Sequence, residues 1–179
     1  MRHRAIVGIA ALLMLVGIIA ATPAQAAEKR LGFGVHYWRT VDDIDDEGLG
    51  DIEDDGVSYL GSYQILPGGL LSFEFDLEYF EAGFGGSEDA VFSPQAFLLV
   101  GHGLYAGVGV GVGYSDGFED DVSDPFYIAR VGFNMELLPK LFLDINANYQ
   151  ANAFSELDQA DTDAITLGAL LRFGLGGSR

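Results

Sequence analysis

The chain contains no cysteine, which excludes disulfide bonds and cysteine-ligated metal sites. Basic residues are also scarce: 9 Lys and Arg stand against 27 Asp and Glu, a formal net charge of −18. So acidic a chain repels nucleic acid unless cations intervene, and no nucleic-acid partner is predicted. Amphipathic helical periodicity is missing after residue 30, which argues against a helical fold. Yet the mean hydropathy is positive, at +0.23, so the charges must be segregated from the apolar residues.

Residues 1–26 have the three parts of a cleavable signal peptide. MRHR is basic, AIVGIAALLMLVGIIAA is apolar, and Ala24-Gln25-Ala26 has the small–x–small pattern that signal peptidase recognises. We predict cleavage before Ala27, which leaves residues 27–179 as one domain; an uncleaved membrane anchor is the alternative. The remaining chain keeps 7 basic side chains against 27 acidic ones, a net charge of −20.

Period-two alternation predicts eight strands, at about 30–39, 57–66, 70–80, 91–100, 104–114, 126–137, 141–152 and 164–173. Tight turns are predicted at Pro67-Gly68-Gly69, Gly101-His102-Gly103 and Leu138-Pro139-Lys140. The other four connections are long and hold 21 of the 27 acidic residues, whereas Lys29, Arg30, Lys140 and Arg179 lie at the opposite end. Alternating short and long connections are typical of an all-β, eight-stranded, antiparallel up-and-down transmembrane barrel.

Each strand has an apolar face and a face of glycine and polar residues. An eight-stranded barrel encloses only enough room for side chains, and large apolar residues from every strand would overfill it. We therefore predict that the apolar face points outward, where only lipid can cover it. The alternate glycines of GVGVGVG, residues 107–113, would then face the lumen and make room for bulky side chains from across the barrel.

Aromatic residues recur on the outward face, each near the long-loop end of its strand. This position predicts a ring at one membrane interface, where amphipathic aromatic rings are favoured. Its members are Tyr37, Tyr59, Tyr79, Phe92, Tyr114, Tyr127 and Tyr149.

Together these patterns resemble the small eight-stranded outer-membrane β-barrels of Gram-negative bacteria, including the porin-like barrel-domain family and the membrane domain of outer-membrane protein A. ITLGALLRF, residues 165–173, resembles the C-terminal assembly signal of such barrels, with Phe173 as its terminal aromatic residue. The resemblance implies a location in the cell outer membrane. It also implies contact with outer-membrane lipid and lipopolysaccharide, and with the barrel-assembly machinery.

Ionisable residues on the inward face predict a lumenal charge network. Its members are Glu74, Asp76, Glu78, Arg130, Glu136, Asp144 and Arg172. Because an unpaired buried charge is costly, we interpret the network as a structural plug, with a catalytic dyad as the alternative. Arg130 is expected to pair with Asp76 or Glu78 across the lumen.

Other motifs do not predict chemistry. His36 falls on the lumenal face and His102 in a turn, without a local catalytic motif. DIEDDG, residues 51–56, fails as an EF-hand loop, because Glu53 and Ser62 occupy positions that require Asp or Asn and Glu. Hydrated binding of divalent cations by the acidic loops and a merely solvated acidic surface both remain open. No cofactor, catalytic residue or specific metal site is predicted.

The sequence thus predicts a non-enzymatic outer-membrane barrel with a structural or surface-interaction role. A small cation-preferring channel is the alternative, and a lipid-modifying barrel enzyme is the least favoured.

Overall fold

Eight antiparallel strands form one closed barrel in the computed structural model, which describes residues 27–40, 55–82, 89–115, 122–151 and 164–176. The strands are Glu28–Thr40 (β1), Asp55–Leu66 (β2), Leu71–Phe80 (β3), Val91–Gly101 (β4), Leu104–Gly111 (β5), Phe126–Leu138 (β6), Leu141–Ala151 (β7) and Ala164–Leu175 (β8). Each strand pairs with its neighbours along the chain, and β1 pairs with β8 to close the ring. The predicted up-and-down barrel is confirmed, with every strand end within three residues of its predicted position.

The predicted signal peptide and most of the four long loops lie outside the described residues, so those expectations stay predictions. The described residues contain no helix that is long and apolar enough to cross a membrane.

Strand β5 ends three residues earlier than its alternation predicts, and Pro94 on β4 accounts for this. Val112 donates its backbone N–H to the Pro94 carbonyl at 3.3 Å, but proline has no N–H to donate in return. The regular ladder therefore stops at Gly111. Tyr114 and Phe92 re-pair beyond the gap, with N···O distances of 2.8 and 2.9 Å.

The outward rows are apolar, as predicted. Exposed side chains alternate with buried ones, and the exposed positions are large hydrophobic residues such as Phe33, Val108 and Leu167, at 57–59% exposure. Apolar surface that runs around a whole barrel is stable only when lipid covers it.

All seven aromatic residues predicted for the interface ring lie on this outward face. Tyr37, Tyr59, Phe92, Tyr114 and Tyr127 are exposed, and Tyr79 and Tyr149 are half-buried. The Tyr79 and Phe92 rings contact each other in a tilted arrangement, with centroids 5.0 Å apart. The Tyr37 hydroxyl donates to Asp55 Oδ2 at 2.8 Å.

The lumen is less polar than the sequence predicts. Two apolar clusters occupy it: Phe97, Leu99, Tyr105, Phe126 and Ile128 between β4 and β6, and Trp38, Phe80 and Val91 at the long-loop end. We call the second cluster the lid. The polar side chains fill the rest of the lumen, so charged and apolar groups divide it between them.

The glycines of β5 face the lumen, but neighbouring strands rather than the opposite wall use the space they leave. A Cβ added at Gly109 would lie 2.4 Å from the Phe97 ring, and one at Gly111 would lie 2.5 Å from the Phe126 ring. Gly107 is covered by Leu99 in the same way. Small residues on β5 thus allow large apolar residues of β4 and β6 to lie flat against its backbone.

We expect Gly109→Ala to destabilise the barrel by about 1–3 kcal/mol, because the Phe97 ring must move to admit the methyl group. Gly61→Ala is the matched control: it lies on the outward face, where a Cβ meets nothing closer than 4.0 Å. The control should be neutral or slightly stabilising, because alanine reduces the freedom of the unfolded chain. Urea unfolding in lipid vesicles measures both, and equal losses would contradict the packing described for β5.

We expect Val108→Arg to cost about 2–4 kcal/mol, because it places a charge near the middle of the lipid-facing surface. His102→Arg, in the exposed turn that precedes β5, should leave stability almost unchanged. The fraction folded in vesicles, read from the heat-dependent shift in gel mobility, tests the pair. Equal folded fractions of the two variants would show that the Val108 side chain does not face lipid.

Candidate functional site

The centre of the lumen is an ion-pair network that joins four strands. Glu74 on β3 accepts from both arginines, at 2.7 Å from Arg130 Nη1 and 2.8 Å from Arg172 Nη2. Arg130, on β6, also pairs with Asp76 at 2.9 Å. Arg172, on β8, has its Nε 3.3 Å from Asp144 Oδ2 on β7. All five side chains are fully shielded from solvent, so the charges are compensated by one another rather than by bulk water.

Neutral polar side chains complete this network. Arg130 Nε donates to Asn148 at 2.5 Å, Arg172 Nη1 donates to Ser62 at 2.7 Å, and Gln64 Nε2 donates to Glu74 at 3.0 Å. Asp144 accepts from three groups, which are Tyr105 Oη, Asn134 Nδ2 and Asn146 Nδ2. Hydrogen bonds to charged groups are stronger than neutral ones, and here they fix the orientation of each guanidinium and carboxylate.

Aromatic rings cover the cationic groups. Arg130 Cζ lies 3.6 Å from the centre of the Phe97 ring, in cation–π geometry. Arg30, nearer the short-turn end, stacks in the same way on Phe142 at 3.6 Å. Phe97 therefore has two contacts, with Arg130 and with the backbone of Gly109, and it links the apolar cluster to the ion pairs.

A second polar group lies between the central network and the lid. Glu78 accepts from His36 Nδ1 at 2.8 Å, Ser58 Oγ at 2.5 Å and Gln95 Nε2 at 2.9 Å. His36 packs against Gly168, where a Cβ would collide with the imidazole. Although serine, histidine and glutamate meet here, Ser58 donates to the carboxylate and not to the imidazole. The hydroxyl–imidazole hydrogen bond of a serine–histidine–acid triad is therefore not present in this group.

The short-turn end of the lumen contains a cavity of about 10 Å³. Its polar lining includes Arg30, Gln64, Ser72, His102, Tyr105 and Asn134. This volume accommodates about one water molecule. Gln64 Oε1 is buried without a protein partner and lines this space, so it supplies an acceptor for such a water.

Six of the seven residues predicted for the lumenal network line the described lumen, and Glu136 does not. Glu136 is exposed beside the β6–β7 turn, where it accepts from the Lys140 backbone N–H at 3.2 Å. Glu78 belongs to the His36 group, so the partners of Arg130 are Asp76, as predicted, and Glu74 instead of Glu78.

The contributions of Ser62, Gln64, Tyr105 and Trp38 were not foreseen. All four fall on inward positions of the alternation, so residue parity was the signal that could have found them. Tyrosine and tryptophan are favoured at membrane interfaces, which obscured the inward placement of Tyr105 and Trp38.

Four buried carboxylates face two buried guanidinium groups and one imidazole in the described lumen, and the part-buried Arg30 adds a third guanidinium at the short-turn end. Asp76 Oδ1 has no hydrogen-bond partner, and neither does Arg130 Nη2. No group of three or more His, Asp or Glu among the described residues is placed to hold a metal ion. The arrangement can therefore hold the walls of the barrel together, and its excess of negative charge favours cations over anions.

No family model and no curated protein matches the sequence. Among solved structures, the chain is similar to Neisserial surface protein A, with 14% identity, a TM-score of 0.53, and coverage of 86% of this chain and 100% of that one. The designed transmembrane barrel TMB2.3 also matches, with 12% identity, a TM-score of 0.49, and coverage of 86% and 100%. So does Ail of Yersinia pestis, with 18% identity, a TM-score of 0.46, and coverage of 82% and 99%.

The likeness to Neisserial surface protein A concerns the fold. The predicted location in the outer membrane agrees with that fold and with the apolar outer surface of the barrel. The chain therefore has the fold of the small eight-stranded outer-membrane β-barrels.

Proposed function

We propose that this chain is a non-enzymatic outer-membrane barrel whose lumen is closed and whose acidic loops face the cell exterior. The observation that carries the proposal is the central network, in which Arg130 and Arg172 meet on Glu74 and fill the middle of the barrel. A barrel with a filled lumen acts through its surfaces, because no solute can pass through it or be held inside it.

The lumen is obstructed at two further heights. The His36–Glu78 group lies above the central network, and the lid of Trp38, Phe80 and Val91 lies above that group, each lid residue no more than 2% exposed. A packed apolar constriction excludes water, and therefore hydrated ions. Closure thus combines a charged barrier and an apolar one in series.

The external loops carry the surface-interaction role in this proposal. Their carboxylates would contact cations bound to lipopolysaccharide, divalent cations from solution, or external partners. A signal peptide at residues 1–26 would direct the chain to export, and the barrel-assembly machinery would insert residues 27–179. The loop residues that form the acidic surface lie mostly outside the described part of the chain.

A small cation-preferring channel is the second candidate. The excess of buried carboxylates over guanidinium groups supports it, since an opened lumen of this composition would attract cations. Single-channel recording in a planar bilayer separates the two candidates. Steady cation-selective openings of the unmodified protein would contradict the closed-lumen proposal.

We expect Arg130→Ala to lower stability by about 3–5 kcal/mol, and by less if water enters the lumen, because Asp76 loses its cation. The double variant with Asp76→Ala should recover part of this loss, since it removes the stranded carboxylate. Urea unfolding of the parent, both single variants and the double variant gives the coupling energy. An Arg130→Ala variant as stable as the parent would show that the network does not hold the lumen together.

We expect Trp38→Ala to open the lid and to cost about 3–5 kcal/mol, because it removes the largest side chain of a buried cluster. Trp38 is the chain's single tryptophan, so its fluorescence reports the lid directly. Emission should be blue-shifted and weakly quenched by acrylamide in the parent. Red-shifted, freely quenched emission of the parent would show that water reaches Trp38 and that the lid does not close the long-loop end of the lumen.

The combination of Arg130→Ala with Trp38→Ala tests the two barriers in series. The increase in conductance should be larger in the double variant than the sum of the increases in the two single variants. The reason is that each single variant keeps one barrier, which still blocks ions. Full conductance of Arg130→Ala alone would mean that the lid does not obstruct the lumen.

A further inference from the structure

Three leucines at the short turns are the most exposed large hydrophobic side chains described in the barrel. Leu70 precedes β3, Leu104 begins β5 and Leu138 ends β6, with exposures of 61%, 77% and 62%. Each short turn therefore contributes one. We call these three residues the leucine rim. Exposed apolar side chains recurring at one end of a protein mark a surface that contacts something other than water.

A β-bulge places the third leucine on this surface. Glu136 pairs with Phe142, but the next pair is Leu138 with Leu141, so Leu137 is an extra residue on β6. A bulge changes which face the following side chain occupies. Without it, Leu138 would share the inward parity of Arg130 and Asn134. With it, Leu138 lies beside Leu141 on the outward row.

The leucine rim continues the lipid-facing surface. Leu70 leads directly into the outward row Leu71, Phe73 and Phe75, and Leu104 leads into Ala106 and Val108. The apolar side chains therefore extend without interruption from the strands into the turns. This continuity identifies the occupant as lipid rather than as a separate protein partner.

The height of the barrel supports the same conclusion. Tyr79 and Leu71, at the two ends of the outward row of β3, are eight residues apart, which is roughly 26 Å along the strand. With a strand tilt of about 40°, this distance spans about 20 Å across the bilayer, less than the apolar band of about 25 Å found in such barrels. The turns must supply the remainder.

We propose that the leucine rim is immersed in the acyl chains of the periplasmic leaflet, so that the apolar flanks of the short turns lie within the membrane boundary, whereas the polar tip of the β4–β5 turn at His102 reaches water. Lys29, at the same end, can extend its amine to the lipid phosphates while its stem remains in the apolar layer. The inference rests on the membrane placement of the proposed function. It adds the depth at which the barrel lies and the lipid leaflet that its turns contact.

Single-cysteine labelling tests the depth, because the chain has no native cysteine. Leu70→Cys, Leu104→Cys and Leu138→Cys would each carry a fluorophore in dioleoylphosphatidylcholine vesicles, with Val108→Cys as the lipid reference and His102→Cys as the aqueous one. The quenchers are bromine atoms on the acyl chains, and iodide present on both sides of the membrane. We expect the labels at the three rim positions to be quenched as the label at position 108 is. Bromine quenching should be strong, and iodide quenching should be at least several-fold less than at position 102.

Iodide quenching of the rim labels equal to that at His102 would overturn the inference. If Val108 were also accessible to iodide, the membrane placement itself would fail, so the two failures are distinguishable. A third outcome is quenching of the rim labels by iodide in pure lipid vesicles and not in outer-membrane fragments. That result would assign the rim to a protein partner and would also overturn the lipid proposal.

A thickness series provides a second readout that does not depend on labels. The triple variant Leu70→Ser, Leu104→Ser, Leu138→Ser has a shorter apolar band, so its highest folded fraction should shift to a thinner bilayer than that of the parent. His102→Ser is the matched control and should retain the parent's optimum. An unchanged optimum in the triple variant would contradict immersion of the rim.

Discussion

Glu74 is the residue on which the interior of this barrel depends, because both buried guanidinium groups bind it. Its Oε1 atom accepts from Arg130 and from Arg172, and its Oε2 atom accepts from Gln64. These contacts connect β3 to its ladder neighbour β2 and, across the lumen, to β6 and β8, with which β3 forms no ladder. A closed ladder fixes the wall of the barrel, but only side chains crossing the lumen fix one wall relative to the opposite one. The charges are retained despite their desolvation cost because removal of any one partner would strand the others.

Limited volume explains why so many glycines accompany this network. Large inward side chains beside β5, Phe97 and Phe126 among them, lie over glycines of that strand, and His36 lies over Gly168. The barrel thereby keeps bulky rings close to its wall and leaves the axis to the arginines. A glycine in a strand normally weakens it, so the cost in backbone entropy is accepted where the lumen would otherwise be overfilled.

The sequence predicted the wall of the barrel better than its contents, and the reason is physical. Alternation fixes the face of every residue once one face is known, so strands and outward rows follow directly from the sequence. Contacts across the lumen also depend on the stagger between strands, which alternation does not specify. Arg130 was accordingly placed inward correctly, but Glu74 was not identified as its partner. Two further differences also depend on register. Strand β5 ends early because Pro94 is aligned with Val112. Glu136 is exposed because it lies beside the β6–β7 turn.

The two ends of the lumen differ, and the difference suits the surface role proposed for the loops. At the long-loop end Trp38, Phe80 and Val91 form the apolar lid, whereas at the short-turn end Arg30, Gln64 and Asn134 surround a cavity with room for about one water. Water can therefore hydrate the lower lumen without passing the central arginines or the lid. Because the lid separates this polar interior from the loops, loop sequence and loop charge can change without disturbing the ion pairs below. Under the proposed function, such a division would let a small barrel vary an acidic loop surface while buried ion pairs far from the loops hold its walls together.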